Sequence, residues 1–163
     1  MPLMPRISIL SANASDGPDL RRAIVALQEH ERALHDTRRP GEDVADAYLA
    51  QLLGRTAVSG AILKADLDGL FAGFVAGWVE ESDAIAETES SNRHGLIADI
   101  CVLPEYRTQG IGALLLAAME RRLAAFGVER IRVVALSSNS LARASYERAG
   151  FHPYEITYEK KLD

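Results

Sequence analysis

The sequence predicts a mixed α/β domain whose first half is antiparallel, and three observations carry that class. Residues 61–64 and 70–79 are apolar runs flanking Asp68-Gly69, a dipeptide that favours the tight turn of a two-stranded hairpin. An apolar run over 96–103 leads through a glycine-punctuated loop into an amphipathic stretch over 111–126, and a further apolar run follows at 131–136. A right-handed crossover through that helix sets the strand at 131 parallel to the one at 96. The whole order is strand, two helices, three strands, helix, strand, helix, strand, with no internal repeat, low-complexity run or interdomain linker, so residues 1–163 read as one domain.

The first strand is short, covering 6–10 by brief apolar alternation. A helix begins near 16–19, where acidic and small polar residues suit an N-terminus and Pro18 fits the first turn. Leu20, Ile24, Leu27 and Leu34 share one face of it. Arg39-Pro40 breaks that helix, and a second is expected over 42–53 with Val44, Tyr48 and Leu52 along its apolar stripe, followed by a weakly patterned exit over 54–60. Residues 81–95 are polar and read as a mobile loop. In the helix behind the glycine loop, Ile111, Leu114, Leu115, Ala118, Met119 and Phe126 form the apolar face and Gly127 occupies the capping position. The 131–136 run is apolar apart from Arg132 and is expected inside the sheet. A short helix over 139–149 stops at Gly150, and a last strand over 151–162 carries Tyr154, Ile156 and Tyr158 on one face.

At 163 residues, 48% hydrophobic and 25% charged, the chain is long enough to bury a core. Its net charge of -5 argues against a general nucleic-acid binder and suits a cationic or amine substrate, although solubility explains the sign equally well. A single cysteine, Cys101, leaves no partner for an internal disulfide and fits a reducing cytoplasm. The first ten residues, with prolines at positions 2 and 5, are expected to be neither an export signal nor an anchor. His30, His35, His94 and His152 lack the spacing of a metal site, and no metal is expected.

The chemistry centres on residues 99–112. The first N–H groups of a helix have no partner inside it and carry the positive end of its dipole, so a helix that opens behind a glycine loop binds a phosphate. Gly110 and Gly112 let backbone approach such an anion, and Arg107 adds a charge with forked donors.

Arg107-Thr108-Gln109-Gly110-Ile111-Gly112 matches Arg/Gln-x-x-Gly-x-Gly/Ala, and Asn139, Ala142, Tyr146, Glu147, Gly150 and Phe151 stand as Asn-x-x-Ala-x-x-x-Tyr-Glu-x-x-Gly-Phe. In both segments the chain resembles the GNAT superfamily of N-acetyltransferases; the detailed likeness covers residues 95–162, and the first half agrees in its order of elements. The resemblance implies a central mixed, mostly antiparallel sheet flanked by helices, with two parallel strands splayed around the pantetheine arm of acetyl-CoA. It implies that this arm pairs with backbone groups of Cys101, Val102 and Leu103, that the pyrophosphate meets the N–H groups of Arg107, Thr108, Gln109, Gly110, Ile111 and Gly112, and that Asn139 and Tyr146 contact the coenzyme. The family also suggests a roof over the acceptor amine between the first two helices, where Glu31, His35 and Asp36 occur, and a homodimer.

Acetyl transfer to an amine requires a neutral nucleophile, and an alkylamine with a pKa of about 10.4 must first lose a proton. Tyr146 stands as the acid beside the sulfur or as an ordinary packing aromatic, and Asp99 as the base or as a salt-bridged strand carboxylate. Alternation sets Asp99 and Cys101 on one face unless a bulge intervenes. Glu31, His35 and Asp36 read as acceptor ligands or as a charged helix surface. Cys101 invites an acetyl-cysteine intermediate, but no nucleophile motif ties a histidine to it, and it reads first as a small hydrophobe. Gly110-Ile111-Gly112 is a poor dinucleotide fingerprint, since Leu115 replaces the third glycine. Two functions remain open: an acetyl-CoA-dependent N-acetyltransferase acting by direct attack of a primary amine, and a non-catalytic acyl-CoA-binding sensor or regulatory module.

Overall fold

The computed structural model describes residues 6–163; the first five residues of the supposed leader-free N-terminus lie outside them. Among the described residues five strands form one sheet in sequence order: β1 (Ile7–Ser11), β2 (Gly60–Leu67), β3 (Leu70–Glu81), β4 (Arg93–Val102) and β5 (Ile131–Val133). The first three pairings are antiparallel and β4–β5 is parallel, as the crossover through the intervening helix requires. At the β2–β3 hairpin Asp68 and Gly69 both take positive φ (52° and 84°), the backbone of a type I′ turn. β3 lies in the middle of the sheet and is buried almost from end to end.

Two helices, α1 (Gly17–Leu34) and α2 (Gly41–Ser59), cover one face of the sheet. Leu20, Ile24 and Leu52 pack there against Phe74, Trp78 and Cys101. The helix after the glycine loop, α4 (Ile111–Ala124), covers the other face, where Ile111, Leu115, Met119 and Leu123 meet Ala65, Val75 and Ile97. Each layer thus buries one side of a sheet whose residues alternate between them. Gly127, at φ 75°, follows the end of α4 in the left-handed conformation that glycine takes without strain. The chain ends with α5 (Ser140–Arg148), whose N-cap Asn139 accepts a hydrogen bond from the Ala142 N–H.

Several boundaries differ from expectation, each for a local reason. α2 runs on through 54–59, because Leu52 anchors it on the core and nothing after Gly54 breaks the helical ladder. Residues 82–92 are held in place. The Asn92 side chain bonds Ser82 and Ala84, and Thr88 caps a one-turn helix, α3 (Glu89–Asn92). Leu114 faces outward and is exposed, since the buried stripe of α4 follows Ile111, Leu115 and Met119. β5 stops after three residues and forms the sheet edge, with Val134 78% exposed, so 131–136 is not a central strand. No strand follows α5: residues 151–163 carry no regular structure, and Tyr154, Ile156 and Tyr158 are exposed instead of sharing a covered face.

Candidate functional site

The site begins where the parallel ladder ends. β4 and β5 pair only from Gly95↔Ile131 to Ile97↔Val133, and beyond Ile97 the two strands part. The β3–β4 register shifts at this point, Ala76 facing Asp99 while Gly77 faces Ile97, so Ala98 is an extra residue on β4. This β-bulge reverses the alternation. Ile97 packs on the α4 side, whereas Asp99 reaches Tyr48 of α2 and Cys101 joins the α1/α2 core. Asp99 and Cys101 therefore do share a face, and the bulge is what turns that face toward α1 and α2.

The opened wedge holds a cavity of about 370 Å³. Residues 98–102 of β4 form one wall, Val134 and Ala135 the other, with Gly112 and Leu116 of α4, Asn139 and Tyr146 around α5, and Leu27, His30 and Glu31 of α1 at the remaining side. At the end of β4, the N–H of the next residue, Leu103, donates to the Ala72 carbonyl, while the Val102 carbonyl accepts from Arg107 Nε at 3.2 Å. Successive backbone groups of a strand point to opposite neighbours. Val102 and Ile100 thus turn their polar groups toward the wedge, and Cys101 and Leu103 turn theirs toward β3.

Next to Val102 is the loop expected to hold an anion. Thr108 and Gly110 both adopt left-handed backbone (φ 65° and 77°), and the N-cap Gly110 offers no side chain to the first N–H groups of α4. Those donors remain available to a ligand, in the concave arrangement that binds phosphate. Arg107 and Gly112 line the cavity beside them. Arg107 spends its Nε on the strand end, which leaves its other guanidinium donors for an anion.

The opposite end is acidic. Asp99 Oδ2 accepts a hydrogen bond from the Tyr48 hydroxyl at 2.7 Å. Burial raises the Asp99 carboxyl from 3.8 to about 6; the Tyr48 hydrogen bond opposes that shift, and the negative charge of Glu31 adds to it. Glu31 is itself paired with Arg38, Oε2 to Nε 2.8 Å. Tyr146 packs edge-on against Phe151, with ring centroids 6.2 Å apart, and its hydroxyl is pushed up to about 12 by burial and by the charges of Glu31 and Asp99. It keeps its proton throughout the neutral range. Burial likewise raises the Cys101 thiol to about 11, so it too stays protonated.

Of the residues singled out from the sequence, Asp99, Cys101, Val102, Arg107, Gly112, Asn139, Tyr146 and Glu31 line the one cavity. Leu103, Thr108, Gln109, Gly110 and Ile111 are not among its lining residues, and neither are His35 and Asp36. His35 lies against Glu159 (Nε2 to Oε1 3.4 Å) and Asp36 against Lys161 (3.7 Å), so both engage the C-terminal segment. His35, Asp36 and Glu159 form the one group among the described residues with three metal-ligating atoms mutually within 4.8 Å, a proximity no sequence spacing reveals, but Lys161 already faces it. Sequence reasoning missed His30 and Tyr48. Tyr48 sits on an apolar stripe, and only its pairing across 51 residues marks it as polar machinery.

The profile of the acetyltransferase (GNAT) family matches residues 24–151, most of the chain and all of the cavity. The chain belongs to this family. It is a family of acetyltransferases. A GNAT relative from Arabidopsis thaliana, the chloroplastic GCN5-related N-acetyltransferase 6, is 36% identical over 75 residues, which are 46% of this chain and 26% of the relative. The uncharacterized N-acetyltransferase YycN of Bacillus subtilis is 29% identical over 77 residues, 47% of this chain and 49% of its own length. The matched segment thus spans half or less of these relatives. Among solved structures, the BH1408 protein from Bacillus halodurans superposes with a TM-score of 0.81 at 21% identity, covering 95% of this chain and 99% of that one. The aminoglycoside N-acetyltransferase AAC(6')-Iy in complex with CoA gives 0.72 at 21% identity, covering 99% of both chains. At such identities the likeness concerns the GNAT fold. No helix among the described residues is long and apolar enough to cross a membrane.

Proposed function

We propose that this protein is an N-acetyltransferase that moves the acetyl group of acetyl-CoA directly to a primary amine. The observation that carries the reading is the wedge itself: one continuous cavity has uncapped helix N–H groups and Arg107 at one end, and Asp99 and Tyr146 at the other. A polyanionic coenzyme suits the first end and a cationic amine the second. The Gly110–Gly112 loop would hold the pyrophosphate, Ile100 and Val102 would pair with the pantetheine arm, and Asn139 would border it. Bound there, the coenzyme supplies an activated acyl group on sulfur.

The protein's own groups manage protons. Asp99, ionised above a pH of about 6, takes a proton from the attacking nitrogen as it bonds to the thioester carbonyl carbon, when that nitrogen is a far stronger acid than the free ammonium of pKa about 10.4. The C–N bond forms, the C–S bond breaks, and the sulfur leaves with its electron pair. Transfer of the Tyr146 proton to a thiolate of ordinary pKa, about 8.5, is uphill from a phenol near 12. Tyr146 therefore stabilises the departing sulfur by donating a hydrogen bond, while the proton released by the amine balances the thiol. The raised Cys101 pKa supports direct attack over an acetyl-cysteine route. Glu31, half-buried at the cavity wall, would orient the cationic acceptor, with His35 and Asp36 contributing only through the neighbouring chain end.

The test is calorimetric titration with acetyl-CoA, followed by thiol release from a panel of amines, for the wild type and Tyr146→Phe. We expect binding by both proteins and a turnover loss of about 10²-fold or more in the variant. Coenzyme binding without turnover of any amine by the wild type would instead favour the acyl-CoA-binding sensor; no binding at all would remove the cofactor assignment.

We propose in addition that two copies pair through the C-terminal segment. Tyr154, Ile156 and Tyr158 alternate along it and are exposed, with Tyr158 at 89%, and β5 leaves a sheet edge to be completed. A monomer mass in sedimentation at micromolar concentration would overturn this pairing.

A further inference from the structure

We propose that Tyr48 is a positioning residue for the acceptor chemistry, its hydroxyl fixing the Asp99 carboxylate through one oxygen and leaving the other to the incoming amine. The catalytic meaning of this assignment rests on the transferase reading above; the hydrogen bond and its effect on Asp99 do not.

Three separate features of the fold converge on the contact. The β-bulge at Ala98 rotates Asp99 out of the α4 side and toward α2. α2 in turn is held close to α1, for an added Cβ at Gly41 would lie 2.8 Å from the Val25 carbonyl oxygen. The N-terminus of α2 has no cap of its own, and Glu29 of α1 supplies one, its Oε1 accepting the Gly41 N–H at 2.6 Å. That bond is the main reason the Glu29 carboxyl lies below its ordinary value. So anchored, α2 delivers Tyr48 to Asp99 Oδ2 at 2.7 Å. Tyr48 is not itself part of the cavity lining, so it acts on bound substrate only through Asp99.

The electrostatic surroundings explain why such a donor is needed. Asp99 shares the cavity with Glu31 and His30 of α1, Tyr146 of α5, Cys101 of its own strand and, toward the other end, Arg107 of the loop. Burial and the Glu31 charge both favour the protonated acid, and Arg38 is committed to Glu31. Tyr48 supplies the hydrogen bond that stabilises the carboxylate form. Its own proton is secure, because burial and the facing Asp99 charge both raise its pKa. Without it, the base would be protonated over more of the neutral range and free to rotate.

The experiment compares wild type with Tyr48→Phe, which preserves the ring that packs on the α1/α2 core. Asp99 is followed by carbon NMR of aspartate-labelled protein, its resonance identified by loss in Asp99→Asn. The titration midpoint should move upward from about 6 by roughly one unit. In turnover, the acid limb of kcat/KM should move with it, giving a several-fold loss at pH 6.5 that largely recovers by pH 9, with acetyl-CoA affinity unchanged. In an Asp99→Asn background, Tyr48→Phe should alter kcat/KM by less than about twofold. An unmoved NMR midpoint overturns the proposal, as does a uniform rate loss with the acid limb in place. A moved midpoint in a protein that acetylates no amine supports the Tyr48 assignment and overturns the transferase reading instead.

Discussion

Replacing Asp99 by Asn separates the catalytic role of this carboxylate from its effect on stability, because the two respond to pH in opposite directions. In the folded protein the carboxyl is raised from 3.8 to about 6, chiefly by burial. Between these values the folded state binds more protons at Asp99 than the unfolded chain does. Stability therefore falls as pH rises through the window from about 4 to about 6, and above it the ionised group is a standing penalty. Two pKa units correspond to about 3 kcal/mol. Asn has nearly the same shape, still offers an oxygen to the Tyr48 hydroxyl, and never ionises. The stability difference between Asp99→Asn and wild type should accordingly change by about 2.5 kcal/mol in favour of the variant from pH 4 to pH 8, with most of the change between pH 4 and pH 6. Urea denaturation at half-unit pH intervals measures it. Turnover should move the other way: kcat/KM of the wild type falls about tenfold per unit below pH 6, and the variant is slow at every pH. A stability difference that stays flat from pH 4 to pH 8 would refute the burial argument, whatever happened to the rate.

The anion loop offers two further predictions. Arg107→Glu places a negative charge beside the first turn of α4, so acetyl-CoA affinity should fall by at least about tenfold in calorimetry, and the loss should shrink in high salt. Gly110→Ala forces a side chain into φ 77°, whereas Gly112→Ala adds a Cβ whose nearest neighbour would be Val102 Cγ2 at an ordinary 3.8 Å. Thermal melts should show Gly110→Ala less stable by about 1–2 kcal/mol and Gly112→Ala close to wild type.

The extent to which the site was legible follows the range of the interactions involved. The glycine loop, the start and stop of α4 and the Asn139 cap are local devices, written in consecutive residues, and they stand where the pattern puts them. The hairpin turn at Asp68-Gly69 is equally local. His35 and Asp36 read as acceptor ligands or charged surface because the family resemblance puts the roof over the amine where the first helix runs out, yet that helix ends at Leu34 and the chain beyond it turns to meet Glu159 and Lys161. The final apolar alternation reads as a strand because periodicity reports a face able to be buried, and it cannot report whether this chain supplies a partner.

By itself, then, the sequence determined the order of the main elements from β1 to α5, the parallel crossover and the glycine loop that opens α4, since these depend on period, turn chemistry and helix ends within a few residues of one another. Only the tertiary structure decided where β4 and β5 separate, that a bulge turns Asp99 toward α2, and that Tyr48 meets it from 51 residues away. Register and burial arise from packing between distant segments, and it is burial and register that give Asp99 its neighbours and its raised pKa.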